Sequence, residues 1–509
     1  MQGFRYLEVK TLALLFNYTS ENQMNLFDFR TGFESHLNPE NRWVKLAGLV
    51  DWDKVATLYA KSFPSNRGAG TIDARIVVGA LIIKHLEGKD DRGTIEAIQE
   101  NPYMQFFLGL DGFTHKPVFD PSLFVHIRKR FGAEAFDELN KLIIREAHKE
   151  VEEQENQQDR DDKSEGGTPS NKGKLQMDAT ACQADIKFPT DLGLLNDARE
   201  KSEELIDLLH KELKFKVKPR TYRRLARKDF LNLSKSKRNS YKKIRKGVRD
   251  QLGYVKRNIK TIHSILDEHP EKLELFRKNG QYKYWFVIQN LYRQQQEMYD
   301  RKTKSIDNRI VSIHQPHIRP IVRGKKSHNV EFGPKINVSL DNGYARVDQF
   351  SFEAFNESVY LKDQVEAYKK LHGYYPELVQ TDNIYMTREN RKYLKERNIR
   401  HTGKPLGRKP KRENADKAQA LQLRKERAER NHIEGKFGQG KRKYGLGRVM
   451  AKLDKTQQSW VAAAFFVMNI IKLGQELFCL FLNYIFLGQN FHQSQLLLEE
   501  VERSDLFQN

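Results

Sequence analysis

Cysteine is nearly absent: Cys182 and Cys479 are the only two in 509 residues. That excludes a disulfide framework and any zinc site built from cysteines at ligand spacing. A reducing, cytoplasmic compartment is expected. Acidic residues are also in short supply. There are 67 Asp and Glu against 89 Lys and Arg, a formal net charge of +22. So one-sided a chain asks for a polyanion, and nucleic acid is the default candidate. Basic chains also settle on membrane surfaces, but that mode pairs a polybasic run with an anchor, and no membrane partner is expected. Long unbroken apolar runs are lacking too. The run from Thr11 to Phe16 is too short for a signal-peptide core. The very apolar stretch from Trp460 to Leu487 is interrupted by Asn469, Lys472, Gln475 and Glu476, whereas a bilayer span needs about 20 nearly uninterrupted apolar residues. It reads as two buried or partner-facing helices.

The length allows two to four domains, each with its own core. Residues 1–24 are unlike the rest of the chain, and Met24 is a candidate start. Residues 25–150 read as a helical domain. In "DARIVVGALIIKHLEG" Asp73 is a candidate N-cap and Gly88 a stop. "DDRGTIEAIQENP" reads as a short helix ending before Pro102, "DPSLFVHIRKRFG" starts another at Pro121 and Ser122, and a further helix runs from about Ala133 to Glu150. Paired short helices suit either a helix-turn-helix on DNA or a plain bundle; DNA contact is the expectation. Residues 151–172 are polar, charged and rich in turn formers, with almost nothing to bury, and are expected to be a disordered linker.

The composition changes at Lys174. "KLQMDATAC" alternates, with Leu175, Met177 and Ala179 on one face and Gln176, Asp178 and Thr180 on the other, so it predicts a strand with a carboxylate on its polar face. From about Leu192 the chain turns helical and basic. Nineteen Lys and Arg fall between Lys214 and Lys260 against Asp229 and Asp250 alone. Such a stretch repels itself without a counter-charge, and phosphate contact is expected, with Arg223, Arg224, Arg227 and Lys228 as a candidate cluster. Strand patterning resumes in "KINVSLDNGYARVDQFSF", where Asn342-Gly343 signals a hairpin. "ESVYLKDQVEAYKKLHG" predicts an amphipathic helix stopped by Gly373, and "ELVQTD" a strand ending at Asp382. Thr387 can cap a helix over "RENRKYLKERN", and "IRHTG" suits a short strand. A basic loop then leads into a helix expected to run from about Asp416 to Glu434.

With the helical stretch set aside, this order predicts an α/β ribonuclease H-like catalytic core. Residues 173–191 and 330–450 form it, 192–329 are a large basic helical insertion after the first strand, and 451–509 are C-terminal helices. In that topology the first strand lies beside the fourth, which brings Asp178 to Asp382, and the late helix delivers Glu434. Clustered carboxylates in a basic protein call for cations. Mg²⁺ takes oxygen ligands and keeps open positions, and two such ions about 4 Å apart can serve an in-line displacement at phosphorus.

The words "MDATACQADIKFPTDLGLLNDARE", "RIVSIHQPHIRPIVRGK", "VEFGPKINVSL", "LVQTDNIY" and "RNHIEGKFGQGKRKYGL", with "HLNPENRWVKLAGLVDW" and "IQENPYMQFFLGL" nearer the N-terminus, resemble the DDE transposases of bacterial insertion sequences. The nearest group is the one named after insertion sequence eleven-eighty-two, and the likeness runs from about Leu37 to Leu473. It implies Asp178, Asp382 and Glu434 as catalytic metal ligands and two Mg²⁺ ions, for which Mn²⁺ can substitute. It also implies double-stranded DNA (element ends and target) as partner, and a homodimer on paired ends. Related enzymes carry a signature of Tyr, two residues, Arg, three residues, Glu, six residues and Lys. Arg430, Glu434 and Lys441 fit it, but Arg427 stands where Tyr would be; all three basic residues are candidates for DNA contact. Gly435 after the Glu reads as room for DNA or as fraying.

The plainer readings run alongside. Asp382 could be a turn cap, and Glu434 could merely pair with Arg430 at helical spacing, worth under about 1 kcal/mol. Asp185, Asp191, Asp341 and Asp348 are nearby decoys; Asp341 falls in a turn signal, and Asp191 precedes a helix where capping is natural. His314 and His317 lack a partner at metal-ligand spacing and are expected at the core's edge or on DNA. The rival functions are a nuclease that cuts without joining, and a DNA-binding protein or inactive element remnant without catalysis.

Overall fold

The computed structural model describes residues 36–62, 71–158, 171–236, 238–322, 330–404, 406–407 and 417–486. The 1–24 extension with Met24, the 159–170 part of the expected linker, much of the basic loop and the chain beyond 486 lie outside the described residues. Two units are distinguished. One gathers Met1–Cys182, Ile336–Phe350 and Phe355–Asn509; the other is Gln183–Lys335 with Ser351–Ala354.

The first unit opens with helices α1 (Arg42–Ala47), α2 (Trp52–Lys61), α3 (Ala74–Glu87), α4 (Asp91–Glu100), α5 (Pro102–Phe107), α6 (Leu123–Arg130) and α7 (Ala133–Gln158). Asp73 caps α3 by accepting from the Arg75 amide, and Gly88 ends it at φ 61°. The chain does not leave helix for long at Pro102: α5 starts on it, because proline's missing N–H costs nothing in a first turn, and Asn101 caps the restart. α7 continues to Gln158, into the stretch expected to be linker, since a Glu- and Gln-rich segment keeps good helix propensity. Helix α3 is buried along its middle, Val77–His85, including Lys84 and His85, while Arg75, Ile76, Leu86 and Glu87 at its ends are partly exposed. Its middle therefore presents no face to a DNA groove. Lys84 and Arg128 both close on Asp91, at 2.7 and 2.8 Å, so the buried cations are paired. The unit's first strand, β1, is Lys174–Ala181.

The second unit is α8 (Asp191–Leu213), α9 (Arg223–Ser234), α10 (Tyr241–Glu268), α11 (Leu273–Lys278) and α12 (Tyr282–Arg301), with an antiparallel ladder of β2 (Pro320–Val322) and β3 (Val330–Phe332). It has its own core, including Leu195, Leu209, Val255, Ile262, Ile288 and Leu291. Thr190, not Asp191, caps α8. Asp191 instead accepts from Gln295 and Arg309.

The first unit resumes with β4 (Lys335–Asp341), β5 (Tyr344–Ser351), α13 (Leu361–His372), β6 (Leu378–Thr381), α14 (Arg388–Glu396), β7 (Arg400–His401), α15 (Lys417–Glu429), α16 (Asn431–Lys443) and α17 (Asp454–Phe486). Its sheet has the order β5-β4-β1-β6-β7, with β1 parallel to β6 and β6 to β7. The first sheet strand thus lies beside the fourth, in a mixed α/β unit dominated by helices. The β4–β5 hairpin turns on Asn342 and Gly343 at φ 47° and 81°, the paired positive values a two-residue turn needs. Strand β1 is central, so its polar face is covered rather than open: Gln176 and Thr180 are only 8% and 3% exposed. Leu175 and Met177 pack with Leu361, Val365, Val379 and Leu394 on the other face.

The apolar C-terminal stretch forms one helix, α17, not two. By length and composition Asp454–Leu477 could cross a membrane, but 67% of its most apolar window is buried, and Trp460, Phe465 and Phe466 share a core with residues of α1–α7 and with Cys182, Ile336 and Val338. Three of the polar residues that interrupt the apolar run, Asn469, Lys472 and Glu476, have partners. Lys472 and Glu476 pair one turn apart at 2.7 Å. Asn469 accepts from the Ala345 amide at 3.0 Å and donates to the Ala345 carbonyl at 2.8 Å, and β5 is an edge strand. A helix side chain thereby satisfies a backbone pair that an edge leaves open. Asn469→Leu would bury both groups unpaired, at about 1–3 kcal/mol each. A urea midpoint lowered by the equivalent of about 2–4 kcal/mol is expected, and an unchanged midpoint would show that this pairing carries no stability.

Candidate active site

The register of β1 against β6 pairs Gln176 with Gln380 and Met177 with Thr381. One step further along both strands stand Asp178 and Asp382. Strand β6 ends at Thr381, and Asp382 leads a tight turn whose Tyr385 amide donates back to the Asp382 carbonyl at 3.1 Å. Tyr385 is buried and its hydroxyl donates to Asn337 at 2.8 Å; Asn337 donates to Gln364 at 3.1 Å, and Gln364 to Asp348 at 2.9 Å. This chain of bonds fixes the turn carrying Asp382 to β4, β5 and α13. Burial raises the Tyr385 phenol far above its ordinary range, with the negative charge of Glu357, Asp178 and Asp348 adding to it.

Helix α15 lies against the other face. The Gln176 amide donates to Gln380 at 2.8 Å and to the Glu429 carbonyl at 2.9 Å, and the Gln380 amide donates to the Glu426 carbonyl at 2.7 Å. These are carbonyls that a continuing helix would offer to residues 430 and 433. The Ile433 amide turns to the Arg430 carbonyl instead. The helix expected through Glu434 is therefore two helices, broken at Arg430, because side chains have inserted into its ladder. Glu434 lies in the first turn of α16. Fraying at Gly435 is ruled out, since α16 continues to Lys443; a Cβ added at Gly435 would meet nothing within 4 Å.

The break aims Arg430 at all three carboxylates. Its Nη2 is 3.0 Å from Glu434 and 3.4 Å from Asp382, and its Nη1 is 3.6 Å from Asp178. Asp178 is deeply set and accepts from the Ala179 amide at 2.8 Å, while Asp382 and Glu434 keep 60% and 56% of their side-chain surface open to solvent. One guanidinium faces three carboxylates. Burial pushes the Asp178 carboxyl up to about 6, with Asp382 and Glu357 raising it further and Arg430 pulling it down. A set of oxygen donors short of positive charge, partly open to solvent, fits divalent cations of the Mg²⁺ class. Glu357, on the turn before α13, is a fourth acidic group at this site that no spacing in the sequence marked.

The other candidates separate. Arg427 donates from Nε to the Thr402 carbonyl at 2.9 Å and so braces α15 against the chain after β7. Lys441 is in the last turn of α16. In the second unit Arg223 is held by Asp207 through two bonds of 2.7 and 2.9 Å, whereas Arg224, Arg227 and Lys228 are exposed. Among the decoys, Asp348 belongs to the Gln364 network and Asp341 lies buried between two histidines. Tyr284 bonds His314 at 3.0 Å, and His317 packs edge-on against Phe352.

Residues 379–471 match the model of the transposase DDE domain, and residues 32–130 match a transposase domain, DUF772. The first match contains Asp382 and Glu434. The matches support a DDE-type transposase of an insertion sequence. A 120-residue stretch is 32% identical to the uncharacterized protein ORF8 in the nfe locus of Rhizobium meliloti, covering 23% of this chain and 57% of that protein. The chain thus spans a little over half the length of that relative. No solved structure matches.

Arg430 and a divalent cation would compete for the same oxygens. Arg430→Gln should therefore raise the affinity for Mn²⁺, measured by calorimetry, on the order of tenfold, as removal of a partly screened charge at this range predicts. An affinity equal to that of the parent chain would show that the guanidinium does not face the cation-binding oxygens in solution.

Proposed function

We propose that this chain is a transposase that binds the ends of its own mobile element, cleaves them, and joins the freed 3′-hydroxyls to target DNA. The observation that carries the reading is the convergence of Asp178, Asp382 and Glu434 on one guanidinium, from two adjacent strands and a separate helix. Residues 173–191 and 330–450 are proposed as a ribonuclease H-like core; the strand order β5-β4-β1-β6-β7 supports it. Residues 192–329 are then a basic insertion, a reading supported by the second unit's bounds. The helical region 25–150 is proposed to contact DNA, by a face other than the middle of α3. The three carboxylates would hold two Mg²⁺ ions, which supply activation of the attacking oxygen and stabilisation of the leaving one.

The chain's own residues position and compensate charge. Asp178 and Asp382 are held level by strand register, so both present oxygens to one scissile phosphate. Glu434 closes the third side on a helix whose approach is set by Gln176 and Gln380. Arg430, once released from the carboxylates, is within reach of the phosphate. Water first and the 3′-hydroxyl second would attack in line, with no covalent enzyme intermediate. Paired ends imply a homodimer.

Asp178→Asn, Asp382→Asn and Glu434→Gln should each lower end cleavage and strand transfer by several orders of magnitude while leaving DNA binding intact. Any of the three that cuts at the parent rate is misassigned. A cut without joining, in an assay with labelled ends, would favour a nuclease instead.

The basic insertion gives an independent test. Because Arg223 is committed to Asp207, the informative variant neutralises Arg224, Arg227 and Lys228. End affinity should fall, and the slope of log affinity against log salt should become shallower by about 0.9 for each phosphate no longer neutralised. Sequence preference should barely change. An unaltered slope would assign these cations to a solvated surface.

A further inference from the structure

We infer that His148, Asp341 and His372 form a second metal site, for one zinc-class divalent cation, separate from the carboxylate trio. One ligand atom from each residue lies within 4.8 Å of the other two. The residues come from three elements of the first unit: α7, the end of β4 and the end of α13. Both imidazole Nε2 atoms converge on the same oxygen, Asp341 Oδ2, at 2.9 Å for His148 and 2.7 Å for His372.

Two details distinguish this cluster from an ordinary buried hydrogen-bond network. The His372 nitrogen sits at contact distance from the carboxylate, yet outside the alignment of a hydrogen bond, and the second oxygen, Asp341 Oδ1, is buried with no hydrogen-bond partner. A buried carboxylate oxygen left without a partner is destabilising. A cation bound by the carboxylate would remove that cost and align the rings by lone pair instead of proton. All three side chains are buried, at 11%, 7% and 2% exposure. Ile144 and Ala147, on α7 beside His148, pack with Tyr344 and Leu473, and the rings of Tyr368 and Tyr374 are 4.4 and 5.9 Å from that of His372.

The donor set selects the ion. Two imidazoles with one carboxylate suit Zn²⁺, whose ligand bonds are about 2.0–2.2 Å, whereas Mg²⁺ prefers an all-oxygen shell. Tetrahedral bonds of that length set ligand atoms roughly 3.3 Å apart, so the present contacts need to open only by about half an ångström. A water completes the fourth position. The cation would tie α7 to the sheet's hairpin and to α13. Its role would be structural, because all three ligands are withdrawn from solvent.

The test uses the full chain, stripped with a chelator and titrated with Zn²⁺ against a chromophoric competitor in excess Mg²⁺. To silence the carboxylate trio, the same titration is run on D178N/D382N/E434Q. That variant should bind one Zn²⁺ with the parent's affinity, and its Co²⁺ form should show the visible absorption of a four-coordinate ion with imidazole ligands. H148Q or H372Q should lower Zn²⁺ affinity by more than the roughly 10- to 100-fold that removing a mere outer-sphere partner costs. Each should also abolish the Zn²⁺-dependent rise in the unfolding midpoint. Absence of Zn²⁺ binding by the D178N/D382N/E434Q chain overturns the inference, as does undiminished binding by both histidine variants. Should those variants fail to fold, a Co²⁺ spectrum of the trio-silenced chain without four-coordinate absorption overturns it alone. Because the trio is silenced throughout, the transposase reading can fail without touching this result.

Discussion

Gln176 and Gln380, side by side on two parallel strands, carry the arrangement on which the candidate site depends. Their register puts Asp178 and Asp382 level one step later. Their amides also take the carbonyls of Glu426 and Glu429, so α15 is docked on the sheet by its own backbone and interrupted at the same time. Backbone groups in a covered face must find partners, and here the partners that satisfy them also redirect the helix. Without the interruption, Arg430 would be one more residue on a long helix. With it, the guanidinium turns to three carboxylates and Glu434 falls in the first turn of a new helix.

Charge explains why the site is stable and yet unfinished. Asp178 is mostly withdrawn from water, and withdrawal penalises its ionised form. Arg430 offsets part of that and leaves the balance negative. Asp382 and Glu434, more open to solvent, tolerate the imbalance better. The result is a site that folds with one internal cation and still favours more positive charge, which suits a role in holding divalent ions against a phosphate.

Local rules made much of this legible. Alternation in "KLQMDATAC", the Asn342-Gly343 turn, the caps at Asp73 and Thr387 and the stops at Gly88 and Gly373 are short-range effects, and each is found in the structure. What escaped depends on partners remote in the chain. Asn469 looked like an interruption of an apolar helix because its partner, Ala345, is 124 residues away. The break at Arg430 is caused by glutamines on strands, not by any local breaker. Asp341 looked like a turn residue, and nothing in its neighbourhood names His148, 193 positions earlier. The capping expected of Asp191 went to Thr190, a difference of one residue that propensity alone does not resolve.

The core that α17 completes has a consequence for synthesis. Helices α1–α7 emerge from the ribosome ahead of α17, yet their shared apolar surface is covered by Trp460, Phe465 and Phe466, which emerge some three hundred residues after α7. The strand bearing Asp178 and the helix bearing Glu434 are separated by a similar stretch of nascent chain. Fragments released before α17 therefore leave an apolar helical surface uncovered, and those released before α16 also lack Glu434. Folding of the first unit and assembly of its acidic site therefore both wait on the last described helices of the chain.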